Sequence, residues 1–121
     1  MVQNLLRISL VAIMIGIVYL SLTPSTSVSV GNDKVGHFIA YSSLMFNLGL
    51  LTFTKRKQLI FAVIGALAFG ALMEFGQSFV PGRTVSGYDM VANTIGVFIG
   101  LVLTLSIGSR ILRILNFSKR K

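Results

Sequence analysis

Three carboxylates and one imidazole carry most of the acid–base and ligand chemistry open to this chain, and they fall in two short stretches. The first, "DKVGHFIAY" (residues 33–41), holds Asp33, Lys34, His37 and Tyr41. The second, "MEFGQSFVPGRTVSGYDMVAN" (residues 73–93), holds Glu74, Gln77, Arg83, Asp89 and Asn93. A carboxylate or imidazole placed against a hydroxyl can act as acid or base. Arg83 and Lys34 can hold a phosphate, the guanidinium in two-point fashion. Asp33, His37, Glu74 and Asp89 are competent ligand types for a divalent cation. No short ligand-spacing motif joins them, however, so neither a metal site nor a cofactor is expected. Ser78 and Ser86 show no pattern that pairs them with His37 as a nucleophile. The lack of cysteine excludes disulfides, thiolate metal sites and thiol catalysis.

The elements that must position these groups are apolar. The chain has 121 residues, 54% hydrophobic and only 12% charged, with a mean hydropathy of +0.84, outside the usual range for a soluble domain. Four windows reach the roughly 20 apolar residues that a membrane-spanning helix needs: Leu5–Leu22, Val35–Thr54, Gln58–Phe79 and Tyr88–Ile107. The expected architecture is therefore all-α, a single domain over residues 1–121 forming a polytopic four-transmembrane-helix bundle. The first window carries Arg7 and no convincing small-residue cleavage site follows it, so it reads as a retained signal-anchor helix. "TPSTSVSVGND" is a polar linker, "KRK" a tight basic turn, and "VPGRTVSG" a Pro/Gly loop that stops the third helix.

Charge then orients the bundle. With both termini on one side, Arg7, Lys55, Arg56, Lys57, Arg110, Arg113, Lys119, Arg120 and Lys121 share that side, and only Lys34 and Arg83 lie opposite. The positive-inside rule makes the nine-base side cytoplasmic. The formal charge of +8 is thus a topology signal, and no nucleic-acid partner is expected. The C-terminal "SKRK" is suited to anionic lipid. In this orientation all three acids, the histidine and both remaining bases sit at the outer face, where ionisable groups in or beside a span are usually kept for a reason.

Helical spacing says which of these groups share faces. His37 and Tyr41 are four apart, with Leu44, Leu48 and Leu51 continuing their row. Ala62, Ala66, Gly70, Glu74 and Ser78 form one i+4 row, a groove of small residues that ends at a carboxylate. Asp89, Asn93, Gly96 and Gly100 share a face of the fourth window, the last two as a GxxxG pair. The simplest packing sets the small-residue rows of helices 3 and 4 together, with helix 2 alongside. The glycine pair reads first as packing and also offers a route to a homo-oligomer. Plainer roles exist for several positions: Asp33 as the N-cap of helix 2, Asp89 closing a capping box that starts at Ser86, and Gln77 and Asn93 as interhelical hydrogen-bonding groups. Glu74 has no such role, because it lies a turn below the loop where no cap explains it and a carboxylate needs a partner or a proton.

The order "DKVGHFIAY", then Glu-x-x-Gln at 74–77, Pro-Gly-Arg at 81–83 and Asp-x-x-x-Asn at 89–93 followed by Gly96, resembles the VanZ-like family of small bacterial membrane proteins. The likeness covers residues 33–100, and Asp33, Lys34, His37, Tyr41, Glu74, Gln77, Pro81, Gly82, Arg83, Asp89, Asn93 and Gly96 all occupy motif positions. The resemblance implies a multi-pass protein of the bacterial cytoplasmic membrane and a link to teicoplanin susceptibility, without an established reaction. Two functional expectations follow. One is an outward-facing site that engages membrane lipids, a lipid-linked envelope precursor or a glycopeptide-related ligand. The other is an accessory protein whose polar cluster is a buried network that fixes the bundle.

Overall fold

The computed structural model describes residues 1–24 and 30–117, with side chains left undescribed at 30–34 and 117. The chain forms α1 (Val2–Leu22), α2 (Val30–Thr52), α3 (Arg56–Gln77) and α4 (Gly87–Phe117). All four are long and apolar enough to cross a membrane, and no strand occurs among the described residues. The protein is therefore all-helical and multi-pass. Most of the large apolar side chains face outward: Ile8, Ile15, Phe61, Phe75, Val102 and Leu105 are all exposed, as suits spans whose surroundings are lipid tails.

Helix boundaries follow from local chemistry. Lys55 caps α3 in an extended conformation, so the basic turn of residues 55–57 becomes the start of that helix. At the other end, Val80 to Arg83 is a hydrogen-bonded turn, with the Arg83 N–H donating to the Val80 carbonyl at 3.2 Å. Pro81 presets its first corner, and Gly82 takes the second at φ 80°, a conformation that favours glycine.

Two helices run longer than the apolar windows. α2 is already helical from Val30, so position 33 lies inside the first turn and not at the cap expected for Asp33. The apolar window itself still begins at Val35. α4 continues ten residues past Ile107. Its 31 residues extend about 46 Å against a hydrocarbon thickness of about 30 Å. Hydrophobicity determines where a helix can span, but helicity itself requires only backbone bonding, and Arg110 and Arg113 are good helix formers.

The bundle is organised around α2 and α4. A Cβ built on Gly100 would stand 2.5 Å from the Ser42 carbonyl oxygen, 2.8 Å from the Met45 Cβ and 3.0 Å from the Phe46 nitrogen. One turn along, a Cβ on Gly96 would meet the Tyr41 Cβ at 3.0 Å and the Phe38 carbonyl at 3.1 Å. At the far end Gly49 of α2 receives the fully buried Thr104 of α4. The GxxxG face is therefore filled by α2 of the same chain. This differs from the expected packing, in which helix 3 fills the glycine pair of helix 4: α2 lies there, and α3 meets α4 at Gly70 and Asn93. Lipid tails are as apolar as leucine, so close van der Waals approach holds such helices together, and glycine is what permits it.

α3 lies against this pair through its small-residue row, with Ala62, Ala66, Gly70 and Glu74 buried and Ser78 exposed. A Cβ on Gly70 would lie 3.2 Å from the Tyr41 ring and 3.5 Å from the Asn93 Cβ, so this glycine admits both side chains. α1 is the peripheral helix, with only 17% of its span buried. It is tied to α2 by a hydrogen bond from Asn47 Nδ2 to Ser9 Oγ at 2.5 Å.

Candidate functional site

Three helices deliver one polar cluster at the end of the bundle that carries the 78–86 loop. α2 contributes His37, α3 contributes Glu74 from its last turn, and α4 contributes Asp89 from its first turn and Asn93 one turn later. The Asn93 amide links them: its Nδ2 donates to Glu74 Oε1 at 3.1 Å, and its Oδ1 faces His37 Nδ1 at 2.5 Å. That assignment is internally forced. An amide that gives its N–H to a carboxylate turns its carbonyl to the imidazole, so Nδ1 donates in this bond, and in the neutral ring Nε2 then holds the lone pair. His37 Nδ1 also lies 4.0 Å from Glu74 Oε1.

Burial separates the members. Glu74, Gln77, Asp89 and Asn93 are all buried, Glu74 to 3% exposure, whereas the His37 side chain keeps about a tenth of its surface open. Tyr41 is 1% exposed. Its ring lies parallel to His37, with centroids 6.4 Å apart, and its hydroxyl has no hydrogen-bond partner among the described residues. The expected capping box is not closed: α4 does start directly after Ser86, and the Asp89 N–H reaches the Ser86 carbonyl at 3.1 Å. The Asp89 carboxylate instead lies with His37 and Glu74, one ligand atom from each falling within 4.8 Å of the others.

Arg83 stands apart from the cluster. Its Nη2 donates to the Leu20 carbonyl at 2.6 Å and its Nε to the Thr23 carbonyl at 3.1 Å. The guanidinium thus caps the C-terminus of α1, where helix carbonyls and the negative end of the dipole favour a cation. This structural role stands beside the expected one as phosphate holder, since the two carbonyls engage Nε and Nη2 and the guanidinium carries five N–H donors. Arg83→Gln is expected to lower stability by about 1 kcal/mol, read as a lower melting temperature in detergent, and to leave the chemistry of the His37 cluster unchanged. The side chains of Asp33 and Lys34 lie outside the described residues.

Sequence reasoning missed Asn47 and Thr104 among the buried polar residues. Both sit near the middle of apolar spans, and an amide there is a signal of interhelical bonding. Chemically, the site offers a lone-pair nitrogen held by an amide–carboxylate chain, with a second carboxylate beside it. A cavity of about 20 Å³ between α3 and α4, lined by residues including Gly70 and Asn93, has room for a water.

The chain matches the VanZ/LLP1 family over residues 8–110. It is also similar to an uncharacterized protein of the fission yeast Schizosaccharomyces pombe, 33% identical over 109 residues that make up 85% of this chain. The matched part spans 64% of that relative's length. No solved structure matches the chain. With most of its length covered, the loop-end cluster included, the chain belongs to the VanZ/LLP1 family.

Proposed function

We propose that this protein engages the phosphate-bearing headgroup of an envelope lipid or lipid-linked glycan at the membrane face that carries the His37 cluster. In this reading it resides in the bacterial cytoplasmic membrane with both termini inside. The observation that carries the reading is the His37–Asn93–Glu74 chain, three polar groups from three helices, linked at 2.5 and 3.1 Å and ending on an imidazole that keeps about a tenth of its side-chain surface exposed. Headgroups lie at that depth, and polar groups in membrane helices usually mark a ligand path or a relay. Nε2 of His37 would accept a hydrogen bond from a headgroup hydroxyl or act as a base toward it. Glu74 and Asn93 would hold the ring and its tautomer, much as a buried acid orients a catalytic histidine.

A relative in a fission yeast favours a headgroup common to bacterial and eukaryotic membranes over one restricted to bacterial walls. A lipid-linked glycan ligand would connect this site with teicoplanin susceptibility, as the family resemblance implies. The second reading is a structural network, favoured by the near-complete burial of Glu74, Gln77 and Asn93.

Native mass spectrometry in mild detergent tests the first reading. Wild type is expected to retain a discrete lipid or glycolipid adduct. His37→Gln, melting at the same temperature, is expected to lose at least tenfold in adduct occupancy. Equal occupancy in both proteins, or no selective adduct on either, removes the headgroup role.

A further inference from the structure

We propose that His37, Glu74 and Asp89 form a binding site for one divalent transition cation, with zinc as the best-fitting ion. The site shares residues with the proposed headgroup site, and this inference deepens that reading by naming what would let an acidic cluster receive an anionic headgroup.

The geometry comes first. One ligand atom from each of the three side chains lies within 4.8 Å of the other two. The centre of a triangle of that size is about 2.8 Å from each corner, so a closure of under about an ångström per side chain reaches the 2.0–2.2 Å bonds of zinc to nitrogen and oxygen. The three residues come from three helices whose mutual positions are set by glycine contacts and buried packing, so the site is held by the bundle and not by a mobile loop. One imidazole and two carboxylates, with no thiolate in the chain, are donors suited to zinc or manganese more than to magnesium, which prefers oxygen ligands throughout and retains its waters.

Two further observations point to a ligand. Asp89 is 7% exposed, and its carboxylate lies with His37 and Glu74 in the same group. A carboxylate buried to that degree in a membrane protein is costly without a counter-charge. The Tyr41 hydroxyl, also buried and without a hydrogen-bond partner, belongs to a ring that lies parallel to His37 and meets the site of Gly70 beside Asn93. Arg83 of the loop donates to carbonyls at the end of α1. Asn93 completes the arrangement. Its carbonyl orients the imidazole and its amide orients Glu74, the outer hydrogen bonds that typically position metal ligands. The two carboxylates would balance the charge of the ion, which would still present an open Lewis-acidic coordination position where a phosphate oxygen can bind.

The test uses the full chain in mild detergent, stripped with chelator and then titrated separately with Zn2+, Mn2+ and Mg2+. Bound metal is read by elemental analysis after gel filtration, and Co2+ serves as a spectroscopic probe of coordination. One zinc per chain is expected, with a higher melting temperature for the loaded protein and a visible Co2+ d–d spectrum. Asp89→Asn is expected to weaken zinc binding at least tenfold. Tyr41→Phe removes no ligand from the three-residue set and reports whether the hydroxyl also coordinates through its Co2+ spectrum. Melting of the metal-free proteins separates lost binding from lost folding. If Asp89→Asn folds poorly, His37→Gln supplies the same readout. Sub-stoichiometric zinc on wild type, or equal affinity in wild type and folded variants, overturns the site. Because binding is read without added lipid, a bound ion with no lipid adduct defeats only the headgroup reading. A selective adduct on metal-free protein defeats only the ion's role in receiving the headgroup.

Discussion

Gly100→Ala is expected to be the most damaging single-methyl change in this protein, lowering its unfolding free energy by about 2–4 kcal/mol. The added Cβ would stand 2.5 Å from the Ser42 carbonyl oxygen and 3.0 Å from the Phe46 nitrogen. Both are backbone atoms of α2, so no rotamer change relieves the contact and the two helices must separate. Separation costs packing along the whole crossing, where Leu44, Met45 and Val97 are fully buried. It also carries His37 away from Asn93, since both flank the same contact. Gly65→Ala is the matched control, because a Cβ there meets nothing within 4 Å and alanine is the better helix former by up to about 1 kcal/mol. Thermal melts of both variants in one detergent check the contrast. If Gly100→Ala melts with Gly65→Ala, α2 and α4 do not cross as closely as described.

Glu74 should give the second large effect, and its two substitutions should behave differently. Glu74→Ala removes the acceptor of the Asn93 amide at 3.1 Å and opens a void beside Gly70, at an expected cost of about 2–4 kcal/mol. Glu74→Gln keeps the shape and offers a carbonyl oxygen to the same amide, so its loss should stay below about 1 kcal/mol. It removes the charge, however, and with it at least tenfold in occupancy of the cation or the headgroup adduct. Melting temperature and adduct occupancy measured on both variants decide between the readings. If Glu74→Gln melts as low as Glu74→Ala, with no ligand lost, the cluster is a helix-packing network and nothing more.

Much of the fold was legible because a bilayer imposes simple rules on composition. Four apolar windows became four helices, and the Pro-Gly loop fell between α3 and α4 as expected, whereas the basic turn became the cap and first residues of α3. The row Ala62, Ala66, Gly70, Glu74 is indeed the inner face of α3, and Asp89, Asn93, Gly96 and Gly100 are all buried on α4. Helical periodicity alone places residues on a face, so those statements needed no tertiary information. The start of α2 at Val30 and the end of α4 at Phe117 were less legible, since a hydropathy window marks the span and not the limits of backbone hydrogen bonding.

The sequence by itself therefore determined that this is a multi-pass helical protein, which side chains each helix turns inward, and that its acids and histidine concentrate at one end of the bundle. Only the tertiary structure decided which inward faces meet. The GxxxG face accepts α2. Arg83 reaches across sixty residues of sequence to the end of α1, and Asn93 joins His37 to Glu74. The physical reason is that a small-residue groove is permissive: it allows any helix to approach, and the partner is selected by the combined packing of all four helices. Spacing along one chain cannot report a contact made between helices, and the chemistry of this site exists only where three of them converge.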